Sequence, residues 1–297
     1  MKGRVIVFWK VVFCAGLIVG LIGCQDDSSS ERVSHADIAT STTYLELAAG
    51  EFVRDTDRII RLVPPGMCPA HFDIRPSQVQ RLRGCKILIR FDFEKPLDKK
   101  VAGVIGTGLK VAEVRIHGGL CQPESYLSAC TQIGWALFSA EIITQDIYNY
   151  VIKSVSARMK RLNDWISNKV ESAGLTGRAV VASVHQAEFC KSMGLKVVAT
   201  FSNSDTAGTA EISAVVESAR RAGVKLVIAN RPEGRRLADK IASMINAKVV
   251  VFDNFPPVQR VCLEGDQETR CTETFDSMVR INVLRLIAAV SSQPTPW

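Results

Sequence analysis

The chain of 297 residues has a single long apolar run, at its extreme N-terminus, which excludes a polytopic membrane protein. It also lacks a surplus of one charge. The formal net charge is +7, but Lys2, Arg4 and Lys10 lie in that terminal run, which carries no acid; the remainder has 34 basic against 30 acidic residues, about +4. So even a balance argues against a nucleic-acid partner. No Cys-x-x-Cys pair occurs, so neither a thioredoxin-type redox site nor a structural zinc knuckle is supported. Gly-x-Ser-x-Gly, His-Glu-x-x-His, a Walker A loop and the Rossmann glycine fingerprint are all missing. The one glycine-rich stretch, Gly103 to Gly108, has no Lys-Ser after it and reads as a turn. Internal repeats are absent too. What is present is ordinary: 47% hydrophobic and 23% charged residues describe a globular chain, neither disordered, fibrous nor coiled-coil, with room for one large or two medium domains.

The first residues have the layout of a secretory signal: a basic start, then an apolar core from Val5 to Ile22. The run closes on Leu21-Ile22-Gly23-Cys24, which resembles a bacterial lipobox, in which the cysteine becomes the lipidated first residue of the mature chain. A polar stretch from Gln25 to Ser30 follows and suits a flexible tether. The expectation is a lipoprotein anchored through Cys24 to a bacterial membrane, in the periplasm or otherwise outside the cytoplasm. That compartment is oxidising, so cysteines can pair. Of nine cysteines, Cys14 leaves with the signal and Cys24 is lipidated; seven remain, so at least one is free. Cys262 and Cys271, flanking a polar stretch, are the first disulfide expectation, with Cys68–Cys85 and Cys121–Cys130 behind it.

Past the tether, apolar runs alternate with helical patterns. Strands are expected over 37–42, 58–63, 86–91 and 111–116, with helices over 44–53 and 76–83 between them. From Thr144 to Ala173 apolar residues recur at Tyr148, Val151, Val155, Met159, Leu162, Ile166 and Val170. Spacings of three and four put them on one helical face, with Thr144 as N-cap and Gly174 as the stop. Such a helix is about 44 Å long at 1.5 Å per residue, enough to brace two lobes. The second half predicts strands over 178–184, 196–200, 224–229 and 248–252, helices over 187–193, 212–222 and 234–245, and a last helix over 274–290. The fold class is therefore α/β: two lobes with parallel sheets flanked by helices, joined by one long backbone helix. The expected division is a signal over 1–23, a tether over 24–36, an N-terminal lobe over 37–120, a connecting segment over 121–177 and a C-terminal lobe over 178–297.

Open parallel sheets bind ligands outside the carboxyl ends of their strands. His185 and Asp253 directly follow predicted strands, and His71 lies in a loop after one; the chain has only four histidines. Asn230 also follows a strand, where its expected job is to cap the turn into the next helix. Phe72 and Tyr126 are aromatics that could line a pocket or simply pack.

At these residues the chain resembles the metal-binding solute-binding lipoproteins of zinc, manganese and iron ABC transporters, the cluster A-I type. The resemblance is carried by Ala39–Ala48, a Thr/Ser-rich strand running into a helix, and by Val63-Pro64-Pro65-Gly66 followed by Pro69-Ala70-His71-Phe72 and Pro76-Ser77. It is also carried by Val184-His185-Gln186-Ala187, leading to Gly194-Leu195, and by Val249–Asp253. It runs from about Asp37 to Val290. It implies His71, His185 and Asp253 as metal ligands. Where the family has Pro-His-x-Trp-Leu, this chain has Pro123-Glu124-Ser125-Tyr126-Leu127, so Glu124 falls on the remaining ligand position. The family's acidic, His-rich loop is absent.

Three readings of that departure stay open: Glu124 ligates, the site has been abandoned for another ligand or partner, or His117 or Cys121 takes the position. With Glu124 the set holds two carboxylates, which neutralise a divalent cation, and two imidazoles. The greater oxygen share suits manganese or ferrous iron, while affinity order favours zinc over manganese. The resemblance further implies a monomer that captures a divalent metal ion (zinc, manganese or iron) between its lobes and hands it to an ABC transporter permease in the cytoplasmic membrane, with no covalent step. An enzyme built on the same two histidines and two carboxylates is the competing class; against it, no general base stands beside the ligands.

Overall fold

A computed structural model of the chain describes residues 36–64, 74–105, 108–202, 208–256, 260–264, 267–271 and 274–291. The first half builds β1 (Ile38–Thr40), α1 (Thr43–Gly50), β2 (Ile59–Arg61), α2 (Pro76–Leu82), β3 (Ile87–Phe91), the short helices α3 (Pro96–Lys100) and α4 (Ala102–Ile105), and β4 (Lys110–Val114). All pairings among these strands are parallel, in the order β2-β1-β3-β4. Both β1 and β3 are buried along their whole length, because helices cover both faces of the sheet; continuous apolar runs such as Ile87-Leu88-Ile89 follow from that. The stretch read as a turn at Gly103 is helical in α4, and the chain turns at Gly108, whose φ of +104° lies where glycine is at ease.

Two helices come next. α5 (Pro123–Ser139) starts with proline at its first position, where the missing N–H costs nothing. α6 (Gln145–Ser172) is the long helix expected from the apolar spacing: Thr144 accepts from the Ile147 N–H as N-cap, and Gly174 ends it at φ +62°. The buried face of α6 is Val151, Val155, Met159, Leu162, Ile166 and Val170.

The second half repeats the plan: β5 (Ala179–Ser183), α7 (Val184–Ser192), β6 (Lys196–Phe201), α8 (Thr209–Arg221), β7 (Leu226–Asn230), α9 (Arg236–Ile245) and β8 (Lys248–Phe252). The sheet is again parallel, in the order β6-β5-β7-β8. An antiparallel hairpin that the sequence reading did not assign, β9 (Arg260–Glu264) and β10 (Gln267–Cys271), precedes the last helix α10 (Phe275–Ser291). Its register sets Cys262 opposite Thr269 and Cys271 opposite Arg260, so the two cysteines are not directly opposed.

One hydrophobic core runs from β1, α1 and β3 through α5 and α6 into β5, β7 and α10. At its centre Tyr126 of α5 stacks on Phe275 of α10, ring centroids 4.1 Å apart, and Tyr44 of α1 meets both edge-on at 5.5 and 5.8 Å. Tyr126 is thus a packing residue: its ring is fully buried and its hydroxyl donates to Glu51 Oε1 at 3.0 Å. Arg158 of α6 ties both halves to the backbone helix. Its guanidinium hydrogen-bonds Glu51, at the end of α1, and forms an ion pair with Asp276, in the first turn of α10, at 3.2 Å. Cys85, Cys121, Cys130 and Cys190 are buried free thiols. The Cys121–Cys130 pairing is therefore corrected: Cys130 is carried into the core about two turns along α5, roughly 10 Å of rise from Cys121 ahead of that helix. Cys85 is likewise unpaired, and Cys68 lies outside the described residues.

Candidate functional site

In each sheet the winding reverses after the first strand: β2 lies on one side of β1 and β3 on the other, and β5 stands likewise between β6 and β7. The crevice at such a reversal, past the carboxyl ends of the strands, is the standard ligand position of open α/β sheets. Both reversals here carry the same pair of side chains. Ser41 Oγ donates to Glu94 Oε2 at 2.5 Å, and Ser183 Oγ donates to Glu233 Oε2 at 2.7 Å. Each serine closes or directly follows the first strand of its sheet, and each glutamate stands three residues beyond the third.

The two glutamates differ in what reaches the other carboxylate oxygen. Glu233 Oε1 meets His185 Nε2 at 3.0 Å. The hydrogen bond to Glu233 raises the His185 pKa; burial pushes Glu233 upward, but the His185 and Ser183 hydrogen bonds outweigh it and leave Glu233 below its usual value. A carboxylate holding one imidazole nitrogen is the arrangement that orients a ligating histidine. His185 is exposed, in the first turn of α7, with its second nitrogen not used by Glu233. Glu94, by contrast, is buried, and its Oε1 has no hydrogen-bond partner. Burial pushes its pKa up to about 7, against the opposing pull of Ser41, the Phe91 N–H and Arg90.

Asp253 follows β8 and is nearly buried. Its backbone is clamped: the N–H donates to Asn282 Oδ1 and the carbonyl accepts from Asn282 Nδ2, both at 2.9 Å. The Cys121 thiol also donates to that carbonyl at 3.0 Å. Both carboxylate oxygens are taken by guanidinium groups, Oδ1 by Arg231 Nε and Oδ2 by Arg285 Nη1 at 2.6 Å. Beside it Gln186 Nε2 bridges Asn254 Oδ1 at 2.7 Å and Asn230 Oδ1 at 3.1 Å. Asn230 thus gives its Oδ1 to Gln186, its side chain also hydrogen-bonds Glu233, and it makes no side-chain cap to the turn that follows β7.

The segment after β4 reaches across to this group. Gln122 Nε2 donates to the Glu188 carbonyl of α7 at 3.0 Å. Gly119 passes so close to α7 that an added Cβ would lie 3.2 Å from the Phe189 nitrogen. Glu124 is exposed in the first turn of α5, with no hydrogen bond or ion pair among the described residues. His117 is exposed ahead of it. His71 and Phe72 lie outside the described residues. Among the described residues no three His, Cys, Asp or Glu side chains form a group able to hold a metal ion; Glu124, His185 and Asp253 are each at a strand-end or helix-start position, His185 with Glu233 and Asp253 with its two arginines. Sequence reasoning missed Glu233, Arg231 and Arg285. The signal for the first two was position: both lie within three residues of the end of β7, next to Asn230.

Comparison with known proteins agrees with this architecture. The family model described as ZnuA, zinc-uptake complex component A periplasmic, matches residues 38–289. Among solved structures, a manganese-bound periplasmic metal binding protein from candidatus Liberibacter asiaticus superposes with a TM-score of 0.69 at 12% identity, covering 85% of this chain and 98% of that one. A zinc-bound ZnuA deletion mutant gives 0.68 at 18% identity, with 87% and 99% covered, and ZnuA itself 0.67 at 16%, with 86% and 98% covered. No curated protein sequence matches significantly. With the match spanning both sheets and the long helix between them, this chain belongs to the periplasmic zinc-uptake component family.

Proposed function

We propose that the protein is an extracytoplasmic metal receptor, held to a bacterial membrane through lipidated Cys24, that captures a divalent zinc, manganese or iron ion and delivers it to an ABC transporter permease. The observation that carries this reading is His185 at the reversal of the second sheet, with one ring nitrogen already taken by Glu233. A neutral imidazole so oriented is a ready nitrogen donor for a transition metal. Family membership and zinc- and manganese-bound structural relatives support the same cargo. The proposed ligands are His71, Glu124, His185 and Asp253. Two carboxylates would neutralise the cation and two imidazoles would add directional donors. The exchange is reversible binding, in keeping with a family of uptake components.

A second reading has one observation in its favour: both oxygens of Asp253 are occupied by guanidinium groups, as in a site turned to another ligand. Elemental mass spectrometry on the full chain, purified in detergent without chelator, separates the two. Near-stoichiometric metal that disappears in a His71→Ala/His185→Ala double mutant supports the receptor and names a candidate metal. Equal trace metal in both overturns it in favour of a retained fold with a different ligand.

A further inference from the structure

The two arginines on Asp253 are not equivalent. Arg285 comes from α10, its side chain is 27% exposed, and its Nη1 also reaches the Val251 carbonyl at 3.3 Å. Arg231 sits on the short turn after β7, and its side chain is 52% exposed. Its contact with Asp253 Oδ1 is the hydrogen bond found for it among the described residues. The backbone of Asp253 is held in place, since Asn282 fixes its N–H and carbonyl and Cys121 adds a third bond. The mobile partner of this carboxylate is therefore Arg231.

We propose that Arg231 is a built-in competitor for the metal: its guanidinium, paired with Asp253 Oδ1, must swing out when a divalent cation takes that oxygen. Arg285 stays and holds Oδ2. The inference rests on the receptor reading above and adds a residue that sets affinity. The chemistry is charge exchange at one carboxylate oxygen. A long, half-exposed arginine can leave for solvent at little cost, because the ion pair it gives up is partly screened by water. A dication repays the exchange with twice the charge. The guanidinium so lowers affinity while keeping a nearly buried carboxylate paired in the empty state, where an unpaired one would be costly. It also favours release, which a protein that hands its cargo on requires.

Zinc and manganese titrations of the full chain in detergent, by calorimetry, test the proposal on three proteins: parent, Arg231→Gln and Arg231→Lys. Arg231→Gln removes the cation and is expected to bind metal about tenfold more tightly, equivalent to about 1.4 kcal/mol. Arg231→Lys keeps the cation and is expected to stay within about twofold of the parent, a distinction that a merely structural role for the side chain would not produce. Equal dissociation constants for parent and Arg231→Gln, or equal tightening in both variants, would overturn the competitor and leave the receptor reading standing. If none of the three binds either metal, both readings fall together.

Discussion

Glu94 gives the fold a pH dependence of stated sign. It is buried beside β1 and β3, receives hydrogen bonds from Ser41 Oγ and the Phe91 N–H on one oxygen, and has nothing on the other. Burial lifts its pKa from 4.5 to about 7 in the folded protein. Between those values the folded state binds the proton that the unfolded state has released, so stability falls as pH rises. The contribution is fully present below pH 4.5 and lost as pH climbs through about 7. A shift of about 2.5 units at about 1.4 kcal/mol each makes the full span about 3.5 kcal/mol, most of it between pH 5 and pH 8. Glu94→Gln removes the titration and keeps an oxygen to accept from Ser41 and Phe91. Guanidinium unfolding of parent and variant at pH 5 and pH 8 isolates the effect, because every other titrating group is common to both. The variant is expected to gain about 2 to 3 kcal/mol on the parent between the two pH values. Parallel curves would refute the reasoning and show that water reaches the carboxylate. Glu233, in the corresponding place of the second sheet, does not behave this way, because His185 supplies the partner that Glu94 lacks.

Three further outcomes follow from the packing. Arg158→Met strands Glu51 and Asp276 without their shared cation and should cost about 3 kcal/mol in denaturant melts, much of it recovered when Glu51→Gln is added. Phe275→Ala opens a cavity against Tyr126 and Tyr44 and should lower stability by about 3 to 5 kcal/mol; an unchanged melt would mean that the aromatic cluster does not join the two halves. Gly134→Ala would place a Cβ 2.5 Å from the Phe52 ring and 2.9 Å from Tyr148, so a loss of about 1 to 3 kcal/mol is expected. Gly50→Ala, with nothing within 4 Å, serves as the neutral or mildly stabilising control.

Much of the fold was legible in the order of residues. The periodic apolar face of α6, its Thr144 cap and its Gly174 stop are local signals, and the structure has them within a residue or two. The eight parallel strands were legible as short apolar runs, because a sheet covered on both faces needs apolar residues throughout. The β9–β10 hairpin was not, since β10 is polar and the three apolar residues of β9, Val261, Cys262 and Leu263, are closed in by Arg260 and Glu264. The site was half legible. That His185 and Asp253 stand at strand ends is a statement about sequence, and sequence alone placed them there. What each carboxylate and imidazole touches was decided only by the tertiary structure. Glu233 lies 48 residues from His185, and Arg231 and Arg285 lie 22 and 32 residues from Asp253, so only the winding of the second sheet and the return of α10 bring them together. The same holds for the matched Ser41–Glu94 and Ser183–Glu233 pairs, 53 and 50 residues apart. Backbone periodicity is set by neighbours a few residues away. The charge environment of a site is set by neighbours in space, and here it is the arginines on Asp253, not the aspartate itself, that carry the new information.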